Sequence, residues 1–180
     1  MVITNYGQEF FKVQFGDLVI ALNPISKDSK LKSARFGADM VLVSINTPEC
    51  NGIEQVTFGE KKPFVVSGPG EYEIKEVFIK GFPGGKNKDG KINTIYFVSL
   101  EGMNLCFLGA LPGKDDVSPE AKSALETVDI LFVPIGGGDV LSASDAYKLA
   151  VSIEPKIIIP MHYADDAAGK SSLKMFLKEG

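Results

Sequence analysis

The feature that most limits the fold is a change of pattern along the chain. The first part consists of short apolar runs separated by Gly, Pro and Asn turns. After Ser118-Pro119-Glu120 the apolar runs alternate with helix-like segments. Such a chain has to bury sheet faces against helices as well as against strands, so it reads as a layered α+β domain.

Glu9 to Phe15 alternates and is rich in aromatics, Gly16-Asp17 turns it, and Leu18 to Leu22 returns, which predicts a hairpin. Ser26 to Arg35 reads as a Lys/Ser-rich short helix or loop, and Met40 to Ser44 as a buried strand. Ser67 to Gly70 is a turn, followed by strand-like 71–74 and 77–79. Lys86 to Lys91 is a polar loop. Ile92 to Leu100 and Asn104 to Leu108 form a second hairpin around Glu101-Gly102. Ser118 caps a short helix with Pro119 at its first position. Asp129 to Pro134 is a buried strand ending in Gly136-Gly137-Gly138. Ser142 or Ser144 caps a second helix, 156–160 is a further strand, and Ser171 to Lys178 is a last helix. With 180 residues and no internal linker, residues 1–180 are expected to form one domain.

Composition narrows the chemistry. Nineteen Lys and Arg against 23 Asp and Glu give a net charge of −4, which argues against nucleic acid or anionic membrane as partner. Arg35 is the only arginine, so bidentate phosphate clamps are scarce. His162 is the only histidine, which excludes a His-rich metal centre. Cys50 and Cys106 are too few for a disulfide framework and fit no zinc-knuckle spacing, so a reduced, cytoplasmic setting is expected. No signal peptide and no membrane-spanning run is read.

Several blocks carry a resemblance to a known family. They are the run from Met40 to Cys50, Phe64-Val65-Val66-Ser67-Gly68-Pro69-Gly70-Glu71-Tyr72-Glu73-Ile74, Asn93-Thr94-Ile95-Tyr96, and Cys106-Phe107-Leu108-Gly109. Asp129 to Gly137 and Pro155 to Tyr163 complete the set. In this order and spacing they resemble the metallo-β-lactamase fold, and within it the short zinc-dependent hydrolases related to ascorbate-phosphate lactonase. The resemblance implies an α+β four-layer αββα sandwich.

It also implies a site that this sequence has largely lost. The family carries T-H-x-H-x-D-H after a buried strand, where imidazole and carboxylate groups ligate zinc at about 2.0–2.2 Å and the metal activates a water. The matching positions read Ser44-Ile45-Asn46-Thr47-Pro48-Glu49-Cys50. The bridging aspartate of the family falls on Ala110, and a histidine expected before Asn93 is replaced in the region of Phe82-Pro83-Gly84-Gly85. Two early blocks have changed as well, to Gly7-Gln8-Glu9-Phe10 and Leu22-Asn23-Pro24. Ile45, Thr47 and Ala110 are therefore degenerate ligand positions, and no catalytic residue is assigned. Glu49, Cys50 and His162 keep donor chemistry, so the resemblance leaves room for at most one zinc or similar divalent ion.

Two functions are expected from this. The first is a degenerate, non-enzymatic member of the family that binds a small molecule or a protein and can form a homo-oligomer. The alternative is a mononuclear metal-dependent hydrolase of a small ester, lactone or phosphorylated substrate, using Glu49, Cys50 and His162. A thiolate–imidazolium pair of Cys50 and His162 is a further reading, with Asp165 and Asp166 nearby in sequence. Cys106 reads as core. The Gly136–Gly138 run reads as a connection with unusual dihedrals rather than an anion cradle. The Lys61-Lys62 pair and Lys86, Lys88 and Lys91 read as solvated turns, and Glu71 and Glu73 as one strand face with Tyr72 opposite.

Overall fold

The computed structural model describes residues 1–164 and 166–179. The chain divides into two compact units, Met1–Gly68 and Pro69–Gly180.

The first unit is built on a five-stranded sheet. Its strands are β1 (Val2–Asn5), β2 (Phe11–Phe15), β3 (Leu18–Leu22), β4 (Met40–Leu42) and β5 (Phe64–Val66), in that spatial order. The first three run antiparallel, while β3, β4 and β5 are parallel. The expected hairpin turns on Gly16, whose φ of 54° suits a residue without Cβ. Its first strand begins at Phe11 rather than Glu9. Gly7 and Gln8 take φ values of 106° and 50°, and the Phe10 N–H donates to the Gly7 carbonyl at 2.9 Å. That turn takes Glu9 out of the strand alternation and into the interior. β1 goes beyond what the sequence predicts, because four residues of weak alternation give little signal.

Ser26 to Arg35 contains no helix. The serine side chains instead bond the backbone locally, which competes with helix formation. Ser29 Oγ accepts from the Leu31 N–H at 3.2 Å, and the Ser33 hydroxyl donates to the Ile25 carbonyl. Lys61 is not simply solvated, since it pairs with the buried Asp39 carboxylate at 3.0 Å. Phe10, Ile25, Ala38, Val41, Val43 and Val56 form an apolar cluster of this unit.

The second unit is built on a six-stranded sheet in the order β11-β10-β9-β8-β7-β6. These strands are β6 (Gly70–Ile74), β7 (Val77–Lys86), β8 (Ile92–Leu100), β9 (Met103–Phe107), β10 (Ile130–Pro134) and β11 (Ile157–Met161). From β6 to β9 each strand is antiparallel to the next, and β9, β10 and β11 are parallel. The helices are α1 (Pro119–Leu125), α2 (Ala143–Ile153) and α3 (Ala167–Lys178). Ser118 and Ser142 cap α1 and α2 through their side chains. α3 starts before Ser171 because the Asp166 carboxylate accepts from the Gly169 N–H at 2.8 Å. Asp165 lies outside the described residues. Cys106, Leu131 and Val133 pack with Ala146, Leu149 and Ala150, so Cys106 is core as expected. Glu71 pairs across the sheet with Lys80 at 2.9 Å, and both are exposed.

The parallel strands set up one end of this unit. Gly109–Ala110 follows β9, Gly136–Gly138 follows β10 and His162 follows β11, so all three segments lie at carboxyl ends of adjacent parallel strands. In sheets of this kind that end is where ligands bind.

Candidate functional site

In the first unit, the segment after β4 carries Ile45, Thr47, Glu49 and Cys50. Ile45, where the resemblance implies a lost ligand, is 4% exposed and apolar, so its side chain is packed into the interior. Thr47 is half-buried and Glu49 is exposed. The Ser29 hydroxyl donates to Glu49 Oε1 at 3.5 Å. Cys50, next in sequence, is only 4% exposed. Its thiol donates to Glu9 Oε2 at 3.8 Å. Burial pushes the Cys50 thiol well above its ordinary value, and the Glu9 carboxylate pushes it further. A nucleophilic cysteine needs the opposite shift, so the thiolate reading is not supported here.

Glu9 is the centre of a polar cluster that the sequence did not point to. It is 1% exposed, at the end of the Gly7–Gln8 turn. Asn23 Nδ2 donates to Glu9 Oε2 at 2.5 Å and to Ser44 Oγ at 2.7 Å. Asn23 Oδ1 accepts from the Ser44 N–H at 2.7 Å. Asn23 holds this position with a φ of 41°, a left-handed conformation that Asn tolerates better than most residues. Among the described residues, no buried side-chain N or O atom lacks a hydrogen-bond partner. A clue existed in the changed blocks Gly7-Gln8-Glu9-Phe10 and Leu22-Asn23-Pro24, but no local pattern says that they meet.

In the second unit, Ala110 is buried and offers no donor side chain. Its place is held by Asn93, which is fully buried. Asn93 Oδ1 accepts from the Ala110 N–H at 2.9 Å, and its Nδ2 donates to the Leu108 carbonyl at 2.9 Å. His162 is half-buried and takes a φ of 54°. A Cβ on Gly136 would lie 2.2 Å from the His162 carbonyl oxygen, so only glycine lets the chain after β10 pass the chain after β11. Gly137 and Gly138, with φ of 71° and 68°, form the expected connection of unusual dihedrals. Beside them Asp139 pairs with Lys88 at 2.7 Å.

A dinuclear zinc centre needs several imidazole and carboxylate donors that converge. The donor chemistry here does not fit one. Ile45 and Ala110 supply no donor, and the Cys50 thiol is buried against a carboxylate. Among the described residues, no group of three or more His, Cys, Asp or Glu side chains is placed to hold a metal ion. Nor is any helix among them long and apolar enough to cross a membrane.

Comparison with known proteins places this arrangement in a family. The beta-lactamase superfamily domain matches residues 2–162, across both units. A UPF0173 metal-dependent hydrolase of Carboxydothermus hydrogenoformans is 49% identical over 194 positions, covering 91% of this chain and 84% of that protein. Another, from Natranaerobius thermophilus, is 25% identical over 162 residues, covering 86% of this chain and 72% of that protein. Among solved structures, a Thermotoga maritima protein assigned to the Zn-dependent hydrolases of the metallo-beta-lactamase superfamily matches with a TM-score of 0.80. It shares 28% sequence identity and covers 99% of this chain and 84% of its own. With its two mixed sheets, its α+β class and a domain match over most of its length, this chain belongs to the beta-lactamase superfamily and has the metallo-β-lactamase fold.

Proposed function

We propose that this chain is a degenerate member of its superfamily, without a dinuclear zinc site, that works by binding a ligand or a protein partner. The observation that carries this reading is the Glu9–Cys50 contact. A cysteine at a ligand position is turned onto a buried carboxylate that Asn23 already holds. The apolar burial of Ile45 and Ala110 at other ligand positions supports it. Zinc ligation at those two positions has no donor atom to use. The bound species is a small molecule or a protein rather than nucleic acid or membrane, in keeping with the net charge of −4. Self-association is part of the reading and is settled by light scattering.

A second reading is favoured by the relatives, which carry the name metal-dependent hydrolase. There Glu49, Cys50 and His162 would hold one divalent ion, which when bound would polarise a substrate oxygen or acidify a water. Zinc titration by calorimetry separates the two. The first reading expects no saturable zinc uptake at micromolar concentration. Saturable uptake that both Cys50→Ala and His162→Ala abolish would establish the second.

A further inference from the structure

The loop from Lys27 to Arg35 carries Lys27, Lys30, Lys32 and Arg35 with one acid of its own, Asp28, and the exposed Glu49 and Glu54 at its edge, in a chain whose net charge is −4. All four cations are exposed, and Leu31 between them is 39% exposed. Lys27 lies near enough to Glu54 to lower that carboxyl's pKa. Among the described residues, Lys30, Lys32 and Arg35 form no ion pair.

The loop is nevertheless firmly built. Glu54 Oε1 accepts from the Ser26 hydroxyl at 2.9 Å and from the Lys27 N–H at 2.8 Å. Ser26 Oγ accepts from the Asp28 N–H at 3.2 Å. The Phe36 and Ala38 N–H groups donate to the Gln55 and Val56 carbonyls at 3.2 and 3.0 Å. The serines thus satisfy the backbone, and the basic side chains are left on the outside. The same loop touches the segment after β4: the Ser26 N–H donates to the Pro48 carbonyl at 2.8 Å, and Ser29 reaches Glu49.

We propose that this loop is a preorganised docking surface for an acidic segment of a partner protein. It rests on the binding role given above and names the chemistry of the partner. An ordered backbone lowers the entropic cost of binding, and three unpaired cations around an apolar side chain complement alternating acidic and apolar residues. Nucleic acid fits less well. The loop from Lys27 to Arg35 holds no aromatic side chain on which a base could stack. Membrane docking fits less well too, because a single exposed leucine gives little to insert.

The test is fluorescence anisotropy of a labelled peptide that alternates pairs of glutamates with leucine, titrated with the full chain at low salt and at physiological salt. Binding is expected at low salt and should weaken as salt rises. It should fall at least about tenfold in Lys30→Glu/Lys32→Glu/Arg35→Glu and in the milder Lys30→Gln/Lys32→Gln/Arg35→Gln. Lys148→Glu/Lys174→Glu/Lys178→Glu, with the same change of net charge elsewhere, should leave binding intact. Circular dichroism confirms that each variant is folded. No peptide binding, or equal loss in the control variant, overturns the proposal. So does tighter binding to phosphatidylserine vesicles or single-stranded DNA than to the peptide. Zinc uptake decides the reading of the site separately, so the two can fail independently.

Discussion

The Cys50 thiol lies 3.8 Å from Glu9 Oε2, and Glu9 is buried to 1% exposure. Forty-one positions of chain separate the two residues, yet the fold brings them into contact. A thiol turned onto a buried carboxylate is held protonated, whereas a metal ligand or a nucleophile has to lose its proton.

Asn23 is the residue on which the polar cluster depends. Asn23→Ala removes its bonds to Glu9, Ser44 Oγ and the Ser44 N–H, and strands buried polar atoms. We expect a loss of about 3 kcal/mol, read by urea denaturation. A change below about 0.5 kcal/mol would show that the cluster is not a structural unit.

Both thiols are expected to be inert in the native protein. Burial raises Cys106, and burial together with Glu9 raises Cys50. In the unfolded chain each ionises at its ordinary value of about 8.5. The fold keeps them protonated, so stability is full below that pH and declines as pH rises above it. Cys50→Ser combined with Cys106→Ala should flatten the decline. A thiol reagent at pH 8 should label neither cysteine until denaturant is added, and rapid native labelling of Cys50 would contradict the account.

Gly136→Ala should damage the end of the second unit where the parallel strands finish. The added Cβ would lie 2.2 Å from the His162 carbonyl, a backbone atom that cannot swing away as a side chain can. A loss of about 3 kcal/mol is expected in thermal or urea unfolding. Gly137→Ala adds no such collision, only the strain of a positive φ, and should cost less.

Glu54 anchors the basic loop. Burial works against its charge, but hydrogen bonds from the Lys27 N–H and the Ser26 hydroxyl prevail and hold its carboxyl below the ordinary range. The anchoring is present at neutral pH and is lost as pH falls through that lowered value. Glu54→Gln should loosen the loop, and trypsin should then cut at Lys30, Lys32 and Arg35 several-fold faster than in the parent. Unchanged digestion would show that the loop is held by its other bonds.

The two hairpins, the helix caps at Ser118 and Ser142 and the strand at Met40 were legible because each rests on a local signal, either alternation or capping chemistry. The resemblance pointed correctly to the fold because its blocks spread over both units. The Glu9–Asn23–Ser44–Cys50 cluster was not legible. It gathers residues from a turn, a strand end and two positions after β4, and only strand register brings them together. Glu9 also sat in what looked like a strand, where alternation would have placed it by the wrong rule. Asn93 carries no local signal beyond its strand, and its role in holding the Ala110 loop depends on β8 and β9 pairing. The Ser26–Arg35 loop was ambiguous because serine spacing alone does not distinguish a helix from a chain of side-chain-to-backbone bonds.

The most direct test of the proposed loss of the dinuclear site is the zinc content of the full chain, purified without chelator and dialysed against micromolar zinc, measured by inductively coupled plasma mass spectrometry. The account predicts well below one zinc per chain and an unfolding temperature that neither zinc nor chelator moves. About two zinc ions per chain, removed by chelator with a fall in that temperature, would contradict it.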